Sequence, residues 1–344
     1  MNINDPITVA TLSREVRKIV DEAFKNCTSY DDGLRSFLVD FVLNDFGFRG
    51  VSSVETAGIG SSAHLVNFRG SDTLMGSKYI VENYNTDTVY GLSIPATEHS
   101  IMTLRGEEGE VEMMKRVLTL FPTGLVACVS DSFNIFRACS DYWGGELKDL
   151  ILSRPAEPGN QLVIRPDSGH VINSLREIFR ILFDKFGYTL NDKGYKVLPP
   201  QVRVIQGDGI NLESIKEIYA LLEEEKISPE NLALGMGGKL LQACDRDTQN
   251  FATKACFAVL DGKEVDVVKS PTEMDADGNI TRSFKKSKKG RLKLVKNDDG
   301  TYRTVTSAEP DFETVKDELV EVFNMGKLTQ EWTFEEVRNL AKLF

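Results

Sequence analysis

Histidine and tryptophan are scarce in this chain of 344 residues, with three of the former and two of the latter. The five cysteines (Cys27, Cys128, Cys139, Cys244, Cys256) are scattered and show no C-x-x-C spacing. That pattern excludes a Cys/His transition-metal cluster and a disulfide framework, and predicts reduced, buried structural thiols. No apolar run approaches the roughly 18 residues of a membrane-spanning helix, and no charged-then-apolar leader is present. Neither a membrane span nor a secretory signal is therefore expected, and the predicted location is the cytoplasm. Positive charge is also in deficit. Against 52 Asp and Glu stand 41 Lys and Arg, a formal net charge of -11, so the chain lacks the field that a general nucleic-acid or membrane-surface binder needs. Internal repeats and low-complexity tracts are missing as well. What is present is 41% hydrophobic residues over a length that can bury a large core, enough for one large domain and a smaller one.

Apolar positions at helical spacing run from Ser13 to about Leu43 (Val16, Ile19, Val20, Ala23, Phe24, then Leu34, Phe37, Leu38, Phe41), which predicts a helical lead-in over residues 1–44. Short apolar runs then alternate with amphipathic stretches at Val111 to Phe121, Leu147 to Ser153, Val171 to Phe186 and Leu212 to Glu225, the last preceded by an N-cap residue, Asn211. Strand, helix, strand at this spacing predicts βαβ units and a parallel sheet over residues 45–245. The strand candidates are Arg49 to Val54, His64 to Phe68, Tyr90 to Ile94, Gly124 to Val129, Leu162 to Ile164, Val202 to Ile205, Leu232 to Leu234 and Thr253 to Leu260. About eight strands fit an irregular (β/α) barrel, with an open doubly wound sheet as the competing architecture. Over residues 246–344 the texture changes to short alternating strands (Val265 to Lys269, Arg291 to Val295, Tyr302 to Val305) between turn-rich stretches, which predicts a smaller, partly antiparallel α+β region. The final helix opens at Thr333-Phe-Glu-Glu336, a capping-box spacing.

Four strand-like runs end in small or charged residues: Leu92 to His99, Leu162 to Gly169, Val202 to Gly209 and Leu232 to Gly238. Chemistry in a parallel barrel sits where strands finish, so these ends predict one shared site. Arg165-Pro-Asp-Ser-Gly169 offers a guanidinium that can clamp a phosphate and a carboxylate, Asp167, for a ribose hydroxyl or a metal, although an internal salt bridge would use the same pair. Gly207-Asp-Gly209 and Gly235-Met-Gly-Gly238 supply bare backbone N–H groups of the kind that cradle phosphate, or mere turns. His99 could act as acid, base or phosphoryl acceptor, or be structural, and Ser130-Asp131 adds a carboxylate to the same face. With no Cys/His cluster, Mg²⁺ held through carboxylates and substrate phosphates is the natural ion. Lys285-Lys-Ser-Lys-Lys-Gly-Arg291 looks like a nucleic-acid patch in isolation, but in an acidic chain it reads as a loop guiding polyphosphates, or as a solvated surface loop.

Longer motifs carry a family resemblance. Asp45-Phe-Gly-Phe-Arg-Gly-Val-Ser-Ser53, Glu55-Thr-Ala-Gly-Ile-Gly60, Ala63-His-Leu-Val-Asn-Phe68, Pro95-Ala-Thr-Glu-His99, Ile164-Arg-Pro-Asp-Ser-Gly169, Leu198-Pro-Pro200, Arg203-Val-Ile-Gln-Gly-Asp-Gly209 and Ser287-Lys-Lys-Gly-Arg-Leu292 are similar to the nicotinamide phosphoribosyltransferases, of the type II phosphoribosyltransferase family. The resemblance runs from about Ser13 to the C-terminus. It implies transfer of the phosphoribosyl group of phosphoribosyl pyrophosphate to nicotinamide, coupled to ATP, in NAD salvage, with Mg²⁺ carried on the substrate phosphates and no residue assigned to a metal. By resemblance His99, Arg165 and Asp167 are catalytic, with His99 phosphorylated from ATP. Phe46 stacks on the pyridine ring, Asp72 accepts from the carboxamide N–H, and Arg49 contacts the diphosphate. Ser93, Asp131, Gly207, Asp208, Gly237, Gly238 and Arg246 complete the substrate contacts, with Lys254 and Lys269 near the polyphosphate path.

Two departures accompany the resemblance. Family members carry a longer N-terminal segment, which supplies a tyrosine across a head-to-tail dimer interface as the second wall over the base; nothing before Asp45 matches it. Ala127 stands where a serine is expected. A homodimer is expected, with a separate chain supplying the N-terminal half, a compact variant, or a non-catalytic nucleotide-binding subunit as the readings left open. Nicotinate phosphoribosyltransferase is the alternative activity, opposed by the negative charge of Asp72.

Overall fold

A computed structural model describes residues 4–243, 249, 255–268, 272–274, 280–282 and 288–342. The chain divides into two compact units, Met1–Gln249 with Thr333–Phe344, and Asn250–Trp332. The last helix therefore belongs with the unit that carries the parallel sheet, not with the hairpins that precede it.

In the first unit, helices α1 (Asn4–Cys27) and α2 (Asp32–Val39) lead to β1 (Leu43–Asp45), α3 (Val54–His64), β2 (Gly70–Ser71) and α4 (Leu74–Asn83). Next come α5 (His99–Met102), α6 (Glu110–Leu120), β3 (Val126–Val129) and α7 (Ile135–Arg137), which runs into a π-helix (Ala138–Glu146) and α8 (Lys148–Leu152). β4 (Leu162–Arg165), α9 (Val171–Phe186), a small hairpin of β5 (Thr189–Leu190) and β6 (Lys196–Val197), β7 (Val202–Gln206), α10 (Leu212–Glu224), β8 (Leu232–Met236) and α11 (Gly238–Leu241) complete it, with α12 (Phe334–Ala341) returning near the C-terminus. Asn211 caps α10 as its sequence predicts, its side chain accepting from the N–H groups of Glu213 and Ser214.

Six strands form one parallel sheet in the order β2-β1-β8-β7-β4-β3. The segment 92–96 joins its two edges. Leu92 forms a parallel bridge with Gly70 on β2, and Ala96 one with Ala127 on β3. Backbone hydrogen bonds from Ser71 N to Leu92 O (3.0 Å) and from Ala127 N to Pro95 O (2.8 Å) close the ring. The result is an irregular (β/α) barrel whose closing member is too interrupted, with Pro95 inside it, to form a regular strand.

Several expected strands are corrected. Arg49 to Val54 is a 3₁₀ turn (Phe48–Gly50) and the start of α3, because Ser53 accepts from Thr56 N and caps a helix there. His64 to Phe68 is a helix end. His64 is buried between Ser13 Oγ (2.9 Å from Nδ1) and the Gly70 carbonyl (3.2 Å from Nε2), and burial lowers its pKa, so the ring is neutral and donates from Nε2. The strands actually used at this point, β1 and β2, are three and two residues long and built partly from Asn, Asp, Gly and Ser, so they carry little strand propensity. Phe257–Leu260 is not a barrel strand; it pairs antiparallel with Lys263–Asp266 in the second unit. The other described strands of that unit also form antiparallel hairpins: Thr272–Met274 with Ile280–Arg282, Leu292–Lys296 with Tyr302–Thr306, and Phe323–Asn324 with Lys327–Leu328. Cys27, Cys128 and Cys139 are buried free thiols and Cys256 is a half-buried one; Cys244 lies outside the described residues. Among the described residues no helix is long and apolar enough to cross a membrane.

The helices around β1 and β2 are tied at one charged junction. Asp40 accepts from Arg17 Nη1 (2.5 Å) on α1 and from Arg338 Nη2 (3.1 Å) on α12. Arg17 also donates to the Asn67 carbonyl, and Arg338 to those of Leu65 and Phe68. Removing the shared carboxylate strands two largely buried guanidinium groups, so Asp40→Ala is expected to lower stability by about 3 kcal/mol in urea unfolding; a loss below about 1 kcal/mol would mean the junction is well hydrated.

Candidate active site

Side chains alternate along a strand, so strand parity decides what faces the barrel interior. Ala127, Val163 and Ile205 form a small buried cluster with Ile94, Leu125, Ala233 and Phe46, one or two from each wall. The same parity carries Val163 on to Arg165, Ile205 to Gly207, and Ala233 to Gly235 and Gly237, so these positions line the inner wall at the mouth. Two of the glycines are there for space. A Cβ on Gly235 would lie 2.1 Å from the Phe46 ring, and one on Gly207 3.3 Å from it. The Phe46 ring thus lies over the bare backbone of β7 and β8, and its N–H donates to the Met236 carbonyl at 3.0 Å.

Asp45 and Ser71 are registered partners of β1 and β2. Phe46 and Asp72 directly follow this pair, so the aromatic residue and the carboxylate leave adjacent strand ends. Asp45 fixes both. Its buried carboxylate accepts from Gly47 N (2.7 Å), and its carbonyl accepts from Asp72 N (3.0 Å). Ser93, on the closing segment, donates to Asp72 Oδ1 at 2.5 Å. Loss of hydration raises the Asp72 pKa and the Asp45 charge adds to it, while the Ser93 hydrogen bond and Arg165 oppose.

A second group gathers across the mouth. His99 starts α5 directly after the closing segment, and its Nε2 is 2.9 Å from Asp131 Oδ1 just past β3. Asp131, nearly fully buried, uses its other oxygen to accept from Asp167 N (3.0 Å) and the Ser168 hydroxyl (2.5 Å). One carboxylate therefore orients both the histidine and the turn after β4. Arg165 Nη2 donates to the Thr97 carbonyl at 2.9 Å, whereas its buried Nε has no partner among the described residues. A buried guanidinium N–H left open at a strand end is suited to an anionic oxygen. Burial raises the Asp167 pKa, with Arg165 and His99 opposing and Asp131 and Asp208 adding. The Asp167 carboxylate lies beside Gly207, its Oδ1 3.2 Å from where a Cβ would be. Asp208 follows with its carbonyl accepting from Gln206 at 2.8 Å.

Arg49 is exposed on the 3₁₀ turn, and the same turn brings Gly50 against Gly238, a Cβ on Gly50 lying 3.5 Å from Gly238 Cα. Phe46, Arg49, Asp72, His99, Asp131, Arg165, Asp167, Gly207, Asp208, Gly237 and Gly238 thus lie on strand ends of the barrel or the segments just after them, and Ser93 lies on the closing segment. Arg246, Lys254, Lys269 and Lys285 to Ser287 lie outside the described residues. Sequence reasoning missed Asp45, Thr97 and Ser168, and it read Gly235 as offering an N–H, whereas this glycine, at an inward position of an apolar run, yields space to a ring. Among the described residues no three or more His, Cys, Asp or Glu are grouped so as to hold a metal ion.

Residues 41–327 match the profile of the nicotinate phosphoribosyltransferase (NAPRTase) family. The chain belongs to the nicotinate phosphoribosyltransferase family. A nicotinamide phosphoribosyltransferase of Xanthomonas campestris is 42% identical over 338 residues, covering 97% of this chain and 68% of that protein. One from Acinetobacter baylyi is 31% identical over 349 residues, covering 96% and 66%. This member of the family spans about two thirds of the length of those relatives. A crystal structure of the nicotinate phosphoribosyltransferase of Porphyromonas gingivalis aligns with TM-score 0.43 at 12% identity, over 70% of this chain and 51% of that one.

The fit of Phe46 over Gly235 is testable without substrate. Gly235→Ala is expected to cost about 1–3 kcal/mol in urea unfolding because the ring must leave its seat. In Phe46→Ala the same glycine change should cost almost nothing, a non-additivity that a purely local backbone effect would not produce.

Proposed function

We propose that the protein transfers the phosphoribosyl group of phosphoribosyl pyrophosphate to the ring nitrogen of nicotinamide, giving nicotinamide mononucleotide and pyrophosphate. The observation that carries this reading is the pair of residues that follow the Asp45–Ser71 strand ends: an aromatic side chain, Phe46, and a carboxylate, Asp72, that Ser93 holds in place. The carboxylate can accept from a carboxamide N–H, whereas the carboxylate of nicotinate would meet it charge against charge.

In this reading the pyridine nitrogen's lone pair forms the new bond to the ribose C1 as the C1–O bond to diphosphate breaks and its electrons leave with the diphosphate. That transition state is oxocarbenium-like and asks for clamped phosphates and a held base more than for a protein nucleophile. Arg165, with its open Nε, and Arg49 are assigned to the diphosphate, the backbone at Gly237 and Gly238 to phosphate oxygens, and Asp167 and Asp208 to ribose hydroxyls. Mg²⁺ would arrive on the phosphates. Asp131 has both oxygens engaged, so Asp167 and Asp208 are the carboxylates left to face it.

His99 is assigned to coupling with ATP. Its contact with Asp131 favours the tautomer with hydrogen on Nε2, which leaves the Nδ1 lone pair to attack the γ-phosphorus while the bond to ADP breaks. Asp131 then stabilises the positive charge that the ring gains.

Purified protein given phosphoribosyl pyrophosphate, Mg²⁺ and either base should form nicotinamide mononucleotide in clear excess over the acid; no mononucleotide from either base rejects the assignment. Asp72→Ala should raise the KM for nicotinamide about tenfold or more and erode the preference for the amide. His99→Ala should keep basal transfer and lose its stimulation by ATP, and retained stimulation would remove His99 from the coupling step.

A further inference from the structure

The turn after β7 is held by a side chain that lies outside the mouth. Gln206 is the last residue of β7 and is buried. Its strand neighbours Ile205 and Gly207 face the lumen, so Gln206 faces the other way, with Val202 and Val204, into the core between sheet and helices. There its Nε2 donates to the Asp208 carbonyl at 2.8 Å, whereas its Oε1 is buried with no hydrogen-bond partner among the described residues. An unsatisfied amide oxygen in a core is costly, and an apolar side chain of the same length would avoid that cost. The amide is therefore accounted for by what its N–H does to the Asp208 carbonyl.

Drawing that carbonyl toward the core decides where the rest of the peptide points. The Asp208–Gly209 bond is trans, so the Gly209 N–H is directed opposite to the Asp208 carbonyl, away from Gln206 and toward the axis of the mouth. Gly209 is exposed, and its N–H has no partner among the described residues. The next carbonyl, that of Gly209, is fixed as well, accepting from the Ser214 hydroxyl at 3.0 Å. A φ of +70° at Gly209, where a Cβ would lie 2.9 Å from Val171 Cγ2, keeps this position a glycine. Two pinned carbonyls thus leave an open N–H beside Asp208, at the strand end next to the one that carries Arg165 and Asp167.

We propose that Gln206 is a positioning residue for the phosphoribosyl donor: it sets the Asp208–Gly209 peptide so that the Gly209 N–H donates to an oxygen of phosphoribosyl pyrophosphate. It touches no substrate itself. The proposal rests on the reading of that compound as the donor. Nicotinamide, assigned to Phe46 and Asp72 on other strand ends, makes no use of this turn.

The test uses Gln206→Met, which keeps the length and lacks the N–H, and Gln206→Glu, which keeps the shape but sets a carboxylate oxygen against the Asp208 carbonyl. Binding of phosphoribosyl pyrophosphate with Mg²⁺ is followed by calorimetry on the full chain without nicotinamide, and the KM of each substrate by mononucleotide formation. Gln206→Met should weaken the donor about tenfold, in Kd and KM alike, with a nicotinamide KM within about twofold of the wild type and a Tm no lower. Gln206→Glu should weaken the donor further, and it serves even if Gln206→Met fails to fold. Unchanged donor affinity in both variants overturns the proposal. So does a loss shared equally by donor and nicotinamide together with a fall in Tm, the signature of an amide that only holds the core. Because calorimetry needs no turnover, a wild type that binds the donor but forms no mononucleotide would reject the proposed reaction while the role of Gln206 is still decided by Kd; a wild type that binds no donor overturns both.

Discussion

The site depends on a steric concession inside a narrow barrel. The lumen is filled by small and medium side chains, Ala127, Val163, Ile205 and Ala233 among them, and leaves no room for an aromatic ring unless a wall retreats. The wall retreats at Gly235 and Gly207, and the Phe46 ring takes the space. Once it is seated, β1 is committed in register against β8, Asp45 can lock the turn at Gly47, and the Asp45–Ser71 rung delivers Asp72 at the neighbouring strand end. Base recognition in the proposed reaction is thus a consequence of how a crowded lumen is packed.

The closing segment connects this half of the mouth to the other. Ser93 holds Asp72 at one end, and the chain reaches Thr97 and His99 a few residues later, where Thr97 orients Arg165 and Asp131 orients His99. Regular strand pairing would have fixed every residue of the segment to its neighbours. Two bridges instead leave the intervening side chains free to serve polar partners in the mouth. The irregularity of the barrel therefore lies where the most polar side chains enter it.

This explains what was legible in the sequence. The long elements were plain, because α9 and α10 have well-formed apolar stripes and β3, β4, β7 and β8 are short, mainly apolar runs. Their polar ends pointed correctly to one mouth. β1 and β2 were not legible: three and two residues with Asn, Asp, Gly and Ser are held by their neighbours, not by their own propensity. Ser52 and Ser53 looked like strand residues within Arg49 to Val54 until Ser53 proved to cap α3. The side chains assigned to substrates in the proposed reaction were named from the sequence, whereas Thr97 and Asp45, which act by a carbonyl or from within the core, have no signature that composition or spacing could expose.

Charge settles how the two halves can work together. Asp72 and Asp167 both have their pKa raised by burial, and Arg165 is a cation that opposes both shifts. Among the described residues the mouth carries more carboxylates than cations, in a protein of net charge -11, and that balance should repel a bare diphosphate. The unpartnered Arg165 Nε gives that anion one direct contact, and a divalent cation travelling with it would cancel the repulsion from Asp167 and Asp208. On the proposed function, then, the acidic mouth selects for the metal-bound form of the substrate. The same excess of negative charge would penalise nicotinate at Asp72, so one electrostatic arrangement underlies both the choice of base and the form in which the phosphoribosyl donor is accepted.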